Sequence, residues 1–210
     1  RFRASPGREG DGTPPAPGVY TYATHGRECA GVSTLRICRD LPGTARMIIT
    51  RPGGQVLALL ELSQEHQEAS RWAIRPDGRY LLWQRSSVSF AGFGGTDAKD
   101  TVPATLAIPA RPRVGRRWTQ RFRFGNLRVS CRNVIVRRGD VRVGDRDLPA
   151  VLIRSTSVTT GDHPGTEVDL TWHIPSLGLD ARSEVHRRVG GTFPYRMDVW
   201  GTLVSVEPAT

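Results

Sequence analysis

Histidine and cysteine are the residue types in this chain with the widest chemical repertoire. His25, His66, His163, His173 and His186 are scattered, and none stands in a His-Glu-x-x-His or comparable metal-ligand spacing. His173 and His186 fall on two segments, 166–174 and 178–189, that look like the arms of one hairpin. That hairpin would carry both rings onto its polar face, near Asp169 and Glu184, where they could hold a metal or exchange protons. A solvated cross-strand pair is the simpler expectation. Cys29 and Cys38 have eight residues between them and Cys131 is remote, so a local Cys29–Cys38 disulfide with one leftover thiol is expected. The alternation around Cys131 places it on a buried face, as a packing residue and not a reactive thiol.

The remaining catalytic templates are absent. There is no Gly-x-Ser-x-Gly elbow, P-loop or Gly-x-Gly-x-x-Gly, and the glycine-rich stretch 91–97 has neither a following lysine nor a helix to cradle phosphate. The chain therefore reads as a non-enzyme with no catalytic residue, no metal and no cofactor. Its best candidates for contact with a ligand are apolar. Tyr80 and Leu82 share one strand face, Phe122 and Phe124 another, and Trp172, Tyr195 and Met197 come from late strands. If the sheet curls, all seven converge on one concavity; the alternative is an ordinary core. Polar residues in phase with them (Gln84, Ser86, Gln120, Asn133, Arg154 and Thr156) favour a partly wet cavity, because a dry core disfavours unpaired polar groups.

The elements that must position these side chains are strands. Beyond Gly18 the dominant period is two: Val168, Leu170, Trp172 and Ile174 point one way, Glu167, Asp169, Thr171 and His173 the other. The same alternation runs through Leu127, Val129, Cys131 and Ile135, and through Phe193, Tyr195, Met197, Val199 and Leu203. Turn residues punctuate these runs at Pro42-Gly43, Pro52-Gly53-Gly54, Pro76-Asp77-Gly78, 92–95, Gly139-Asp140, Gly144-Asp145, Gly161-Asp162 and Gly190-Gly191. Helix propensity is high over 55–74, yet the pattern there favours two strands broken near Ser63 to His66. Pro103, Pro109 and Pro112 mark 101–115 as a connector between two groups of strands. The expected fold is all-β, with at most one short helix: a large curved antiparallel sheet forming a half-barrel or open barrel over 19–208, behind a Pro/Gly-rich tether at 1–18.

The formal charge is +10, and all of the 30 basic residues except Lys99 are arginines. Where arginines alternate with apolar residues, as in Arg117-Trp118-Thr119-Gln120-Arg121-Phe122-Arg123-Phe124, they read as the wet face of a strand. A nucleic-acid partner is not expected, whereas an anionic membrane surface or a membrane protein is a possible one. The longest uninterrupted apolar run, Val56 to Leu60, falls far short of the roughly 18 residues of a spanning helix. The Pro/Gly tether suits an exported protein whose signal or anchor precedes it, secreted or held at the cell envelope.

The segment Thr171-Trp172-His173-Ile174-Pro175-Ser176-Leu177-Gly178-Leu179-Asp180-Ala181-Arg182 resembles a Trp-Tyr-x-Pro-x-x-Gly-Leu-Val motif of bacterial extracytoplasmic β-proteins. His173 and Asp180 replace its Tyr and Val. Val114-Gly115-Arg116-Arg117-Trp118 and Val143 to Val151 resemble the same proteins' strand entries, so the likeness covers about 114–206. Trp72, the Pro76-Asp77-Gly78 turn and Phe90-Ala91-Gly92-Phe93 extend it to secreted actinobacterial proteins similar to the LolA/LppX-like lipoprotein-carrier superfamily. The resemblance implies an open or half-closed antiparallel barrel over a hydrophobic cavity, and an exported carrier-like domain that holds a lipid or other apolar ligand without catalysis. The alternative is a structural or regulatory extracytoplasmic interaction domain with a filled core, anchored by a preceding segment.

Overall fold

The computed structural model describes residues 13–32, 35–90, 93–124 and 126–209. The chain folds as thirteen antiparallel strands: β1 (Gly18–Ala30), β2 (Ile37–Asp40), β3 (Thr44–Thr50), β4 (Val56–Ser63), β5 (His66–Arg75), β6 (Gly78–Phe90), β7 (Phe93–Pro109), β8 (Arg117–Phe124), β9 (Leu127–Val143), β10 (Arg146–Thr160), β11 (Gly165–Ile174), β12 (Leu179–Val189) and β13 (Tyr195–Leu203). Among the described residues the only helical element is a short 3-10 turn at Pro52–Gly54. The hydrogen-bonded path runs β7-β6-β5-β4-β3-β1-β13-β12-β11-β10-β9-β8, with β2 paired to the far end of β1. Neighbours on the path are consecutive strands, except that β1 pairs with β3 past the short β2 and with β13, which joins the two halves of the chain. The path's two ends, β7 and β8, lie side by side without a ladder. The sheet is thus an all-antiparallel barrel, nearly closed, with one seam.

The alternation dictates which face is inside. On β1, Tyr20, Tyr22, Thr24 and Glu28 are buried, while Thr21, Ala23, His25 and Arg27 are exposed. Directly opposed residues of an antiparallel pair share a face. The inward phase therefore passes from Glu28 to Met197, Arg187, Glu167, Ser157, Cys131 and Gln120 around one side. Tyr20 passes it to Met47, Leu60, Glu68 and Ser86 around the other. Register shifts in the pairings of β4, β5, β6, β7, β9, β10, β11 and β12, of one residue except for a larger one between β6 and β7, bend the long strands, as bulges do, and allow the curl. The main apolar cluster includes Tyr20, Ile49, Val56, Ile174 and Leu203, all nearly inaccessible; a smaller one joins Ile135, Val151 and Ile153 with Trp118.

Three expectations about local structure are corrected. Residues 101–109 are not a connector but the second half of β7. Pro103 and Pro109 are tolerated there because β7 pairs only with β6, and an edge strand does not need every N–H. Gly139-Asp140 is not a turn either; β9 runs through it to Val143 and turns at Gly144-Asp145. The anticipated turn at 92–95 is partly strand, since Gly94 and Gly95 pair with Ser89 and Val88, while Ala91 and Gly92 lie outside the described residues.

Most of the supposed tether, residues 1–12, also lies outside them. Its described part packs on the barrel: Pro15 is buried, and Tyr20 donates to the Ala16 carbonyl at 2.9 Å. Gly178, in the turn between β11 and β12, has φ +65°, and a Cβ there would lie 2.1 Å from the Thr13 carbonyl oxygen. Only glycine fits that crossing. Cys29 and Cys38, directly opposite on β1 and β2, form a disulfide, and Cys131 is a buried free thiol.

Candidate ligand-binding cavities

At the end of the barrel where β1, β6, β8, β10 and β12 finish lies a cavity of about 720 Å³. Val88 and Phe90 of β6, Phe122 of β8, Leu127 and Val129 of β9, and Tyr195 of β13 supply its apolar wall. Phe90 is 3% exposed and meets Tyr195 edge to face, with ring centroids 6.0 Å apart. Its polar lining comes from Gln84, Ser86, Ser157, Glu167 and Arg187.

Beside this cavity a chain of charged side chains crosses the lumen. The fully buried Glu28 of β1 accepts from Arg39 Nε at 2.5 Å and from the Tyr195 hydroxyl at 2.7 Å, and its Oε2 is 2.8 Å from His66 Nδ1. His66 Nε2 lies 3.4 Å from Glu68 Oε1, which also accepts from Arg187 at 2.8 Å; Arg187 in turn pairs with Glu167. Arg39 further donates to the Ser89 carbonyl at 2.8 Å and pairs with Glu65. The Glu68–Arg187 contact joins β5 to β12, strands separated along the sheet by β4, β3, β1 and β13.

Burial by itself raises the pKa of a carboxyl group, but three hydrogen bonds, from His66, Tyr195 and Arg39, leave Glu28 below the ordinary range. Glu68 follows the same logic, with the charge of Arg187 as the main offset to burial. The pKa of His66 is raised: burial opposes its charge, and Glu28 and Glu68 outweigh it. These directions favour the charged forms of Glu28, Glu68 and His66, each of which has partners of opposite sign within hydrogen-bond distance.

Asp169 is the exception. Burial pushes its carboxyl up to about 7, against the hydrogen bond from Thr171 at 2.7 Å and with Glu167 adding to the rise. A carboxyl that holds its proton more tightly folded than unfolded loses stability as pH rises from 3.8, its unfolded value, through about 7. Asp169→Asn keeps the acceptor for Thr171 and removes that loss. The variant should gain about 2 kcal/mol over the parent at about pH 8, and much less at about pH 4, in urea unfolding at each pH.

A second cavity, of about 880 Å³, occupies the opposite end, lined by Ile74, Arg79, Ile108, Arg138, Val151 and His173 among others. His173 Nδ1 is 2.7 Å from Asp180 Oδ1, and the Asp180 carbonyl accepts from Tyr22. Arg79 stacks on Trp72, 4.6 Å from the ring centroid, and donates to the Gly178 carbonyl at 3.3 Å. His173 and His186 do not share a face. The partner of His186 is Val168, five residues from His173, and an odd spacing puts the two rings on opposite sides of the sheet. His186 lies on the outer side, 2.7 Å from Asp198 and 2.8 Å from Glu184, against Trp200. No group of three or more His, Cys, Asp or Glu among the described residues could hold a metal ion.

Of the residues singled out from the sequence, Phe122 and Tyr195 line the first cavity, and Met197 is buried in the core cluster. Trp172 stands on the outer side beneath the guanidinium of Arg137. Tyr80 is partly exposed, with its hydroxyl donating to Asp77 and Arg75 over its ring, and Leu82 falls at a register shift of β6. The side chain of Phe124 lies outside the described residues. Gln84 and Ser86 line the first cavity and Asn133 is buried, whereas Arg154 and Thr156 point outward, opposite Val134 and Arg132.

The charged chain through Glu28, His66, Glu68, Glu167 and Arg187 was not singled out from the sequence. Its signal is present on β1, where Glu28 keeps the phase of Tyr20, Tyr22 and Thr24. Comparison with protein-family models, with curated proteins and with solved structures returns no match for the chain.

Proposed function

We propose that this domain binds an apolar or amphipathic ligand of lipid type inside the barrel and carries it without chemical change. The observation that carries this reading is the cavity of about 720 Å³, aromatic and aliphatic on its walls and polar elsewhere, in the size range of roughly 300–1,000 Å³ typical of small-molecule sites. Such a lining suits a molecule with an apolar body and a polar end. The same end of the barrel exposes Val32, Leu35 and Phe193, and the Gly31 amide donates to the Pro194 carbonyl at 2.9 Å, tying two of its loops together. Exposed apolar groups beside an opening favour transfer from an apolar source. The Cys29–Cys38 disulfide supports an extracytoplasmic setting, where such bonds persist.

The test is titration with the neutral apolar fluorophore N-phenylnaphthylamine, together with mass spectrometry of a solvent extract of the protein from its native host. Phe122→Arg places a guanidinium in the apolar wall and should weaken fluorophore binding by at least about tenfold. A clean extract with no fluorophore binding by the parent protein would replace this reading with that of an interaction domain.

A further inference from the structure

The outer face of β8, β9 and β10 carries an arrangement that neither the cavities nor the core explains. Register places Arg117 and Arg154 opposite Val134, Arg121 opposite Ser130, Arg132 opposite Thr119 and Thr156, and Arg123 directly opposite Arg128. All six arginines are exposed. The stretches that carry them, Arg117 to Gly139 and Leu148 to Gly161, contain no Asp or Glu; the two carboxylates of these strands, Asp140 and Asp147, lie beyond, toward the β9–β10 turn. No ion pair of the described residues involves any of the six. Asp162, just past β10 on the β10–β11 turn, accepts from Asn126. Three outer arginines elsewhere are matched, Arg27 by Asp40, Arg46 by Glu61 and Arg142 by Asp147.

Like charges directly opposite on neighbouring strands destabilise a sheet, so the Arg123–Arg128 pair lowers the stability of the free protein. An anionic partner removes that penalty. We infer that this face docks on an anionic lipid bilayer. Six unmatched guanidiniums spread over three adjacent strands, about 20 Å along the strand direction, suit a flat array of phosphate headgroups. Val158, 46% exposed, lies on the same face, opposite Ser130, and adds an apolar contact. Among the described residues these three strands put no aromatic side chain on this face, and the neighbouring Trp172 of β11 is covered by Arg137, so the face offers nucleic-acid bases little to stack on, unlike sheet surfaces that read single strands. The inference rests on the outer face alone and is independent of any cavity ligand.

The experiment is co-sedimentation of the full chain with mixed phosphatidylglycerol–phosphatidylcholine vesicles, with pure phosphatidylcholine as reference. A basic residue near an anionic surface is worth about 1 kcal/mol, about fivefold in partitioning. A triple variant, Arg121→Gln, Arg128→Gln and Arg132→Gln, should therefore partition on the order of a hundredfold more weakly. A second triple variant, Arg27→Gln, Arg46→Gln and Arg51→Gln, has the same net charge but is altered at β1, β3 and the turn that follows. It should stay within about threefold of the parent. Phe122→Arg, which alters the cavity wall and not this face, should bind vesicles as the parent does. Equal losses in the two triple variants would reduce the effect to net charge and overturn the proposal. So would a parent protein that ignores the mixed vesicles, or one that binds a single-stranded oligonucleotide at the same salt in their place.

Discussion

A Glu28→Ala variant should lose about 3 to 5 kcal/mol of folding stability, read from its urea midpoint at neutral pH. The carboxylate is inaccessible and holds three partners at once: the Arg39 guanidinium, the His66 ring and the Tyr195 hydroxyl. Truncation leaves the largely buried Arg39 guanidinium and the buried His66 ring facing a void, each with one carboxylate fewer, Glu65 and Glu68 being their remaining acidic partners. Glu28→Gln separates the two contributions. It keeps the shape and one acceptor oxygen but no charge, so it should recover part of the loss and leave the pKa of His66 lower than in the parent. Proton NMR of the His66 ring across pH reads that change directly. A Glu28→Ala protein as stable as its parent would show that the chain across the lumen is solvated and not a structural tie.

Replacing Arg187 with Met should cost a similar amount, about 3 to 5 kcal/mol at neutral pH. Glu68 and Glu167 then face one another across the lumen without the cation that joins them. This loss has a distinctive pH dependence. In the parent, Glu68 titrates below its unfolded value of 4.5, so its contribution is complete above that pH and disappears as pH falls through the folded value. The variant lacks the contribution at every pH. The gap between the two proteins should therefore be widest near neutrality and narrow as the solution is acidified, in paired unfolding curves. A gap that stays constant on acidification would mean that Arg187 acts through packing of its stem, not through charge.

How much of this was legible in the sequence depends on the range of the interactions. Period-two alternation and Gly/Asp turns are local, and they gave β4 and β5, with the break between Ser63 and His66, against a contrary helix propensity. They also gave the Trp172–Gly178 hairpin. Prolines misled at 101–109, because whether a missing N–H matters depends on which strands lie on either side, and only the assembled sheet decides that. Arg154 was assigned the inner phase although its opposite residue, Val134, shares the outer face with Arg117, and an error of one residue on a strand reverses the side. The charged chain was the least accessible. Glu28, His66, Glu68 and Arg187 meet only because β1, β5 and β12 face each other across a curled sheet, and no spacing along the chain records that. The arginine face lay between these cases: its residues were read as a wet strand surface, but the absence of acidic neighbours emerges only when three strands are laid in register.

The pairing of β1 with β13 has a consequence for how the molecule comes into being. Every other pair on the path is close in sequence, β1 and β3 enclosing only the short β2, so each half can assemble from local pairings, whereas the ladder that includes Tyr22 opposite Leu203 closes a loop of almost the whole chain. Its entropic cost falls on a single late contact, which places the barrel among slow-folding topologies. Until that contact forms, β1 keeps an open edge along residues 22–30, and the Glu28–Tyr195 hydrogen bond that spans the same junction cannot exist. The chain is then most exposed to pairing with another copy of itself. The junction between the first and last strands, more than any single hairpin, sets the interval over which a newly made molecule is vulnerable.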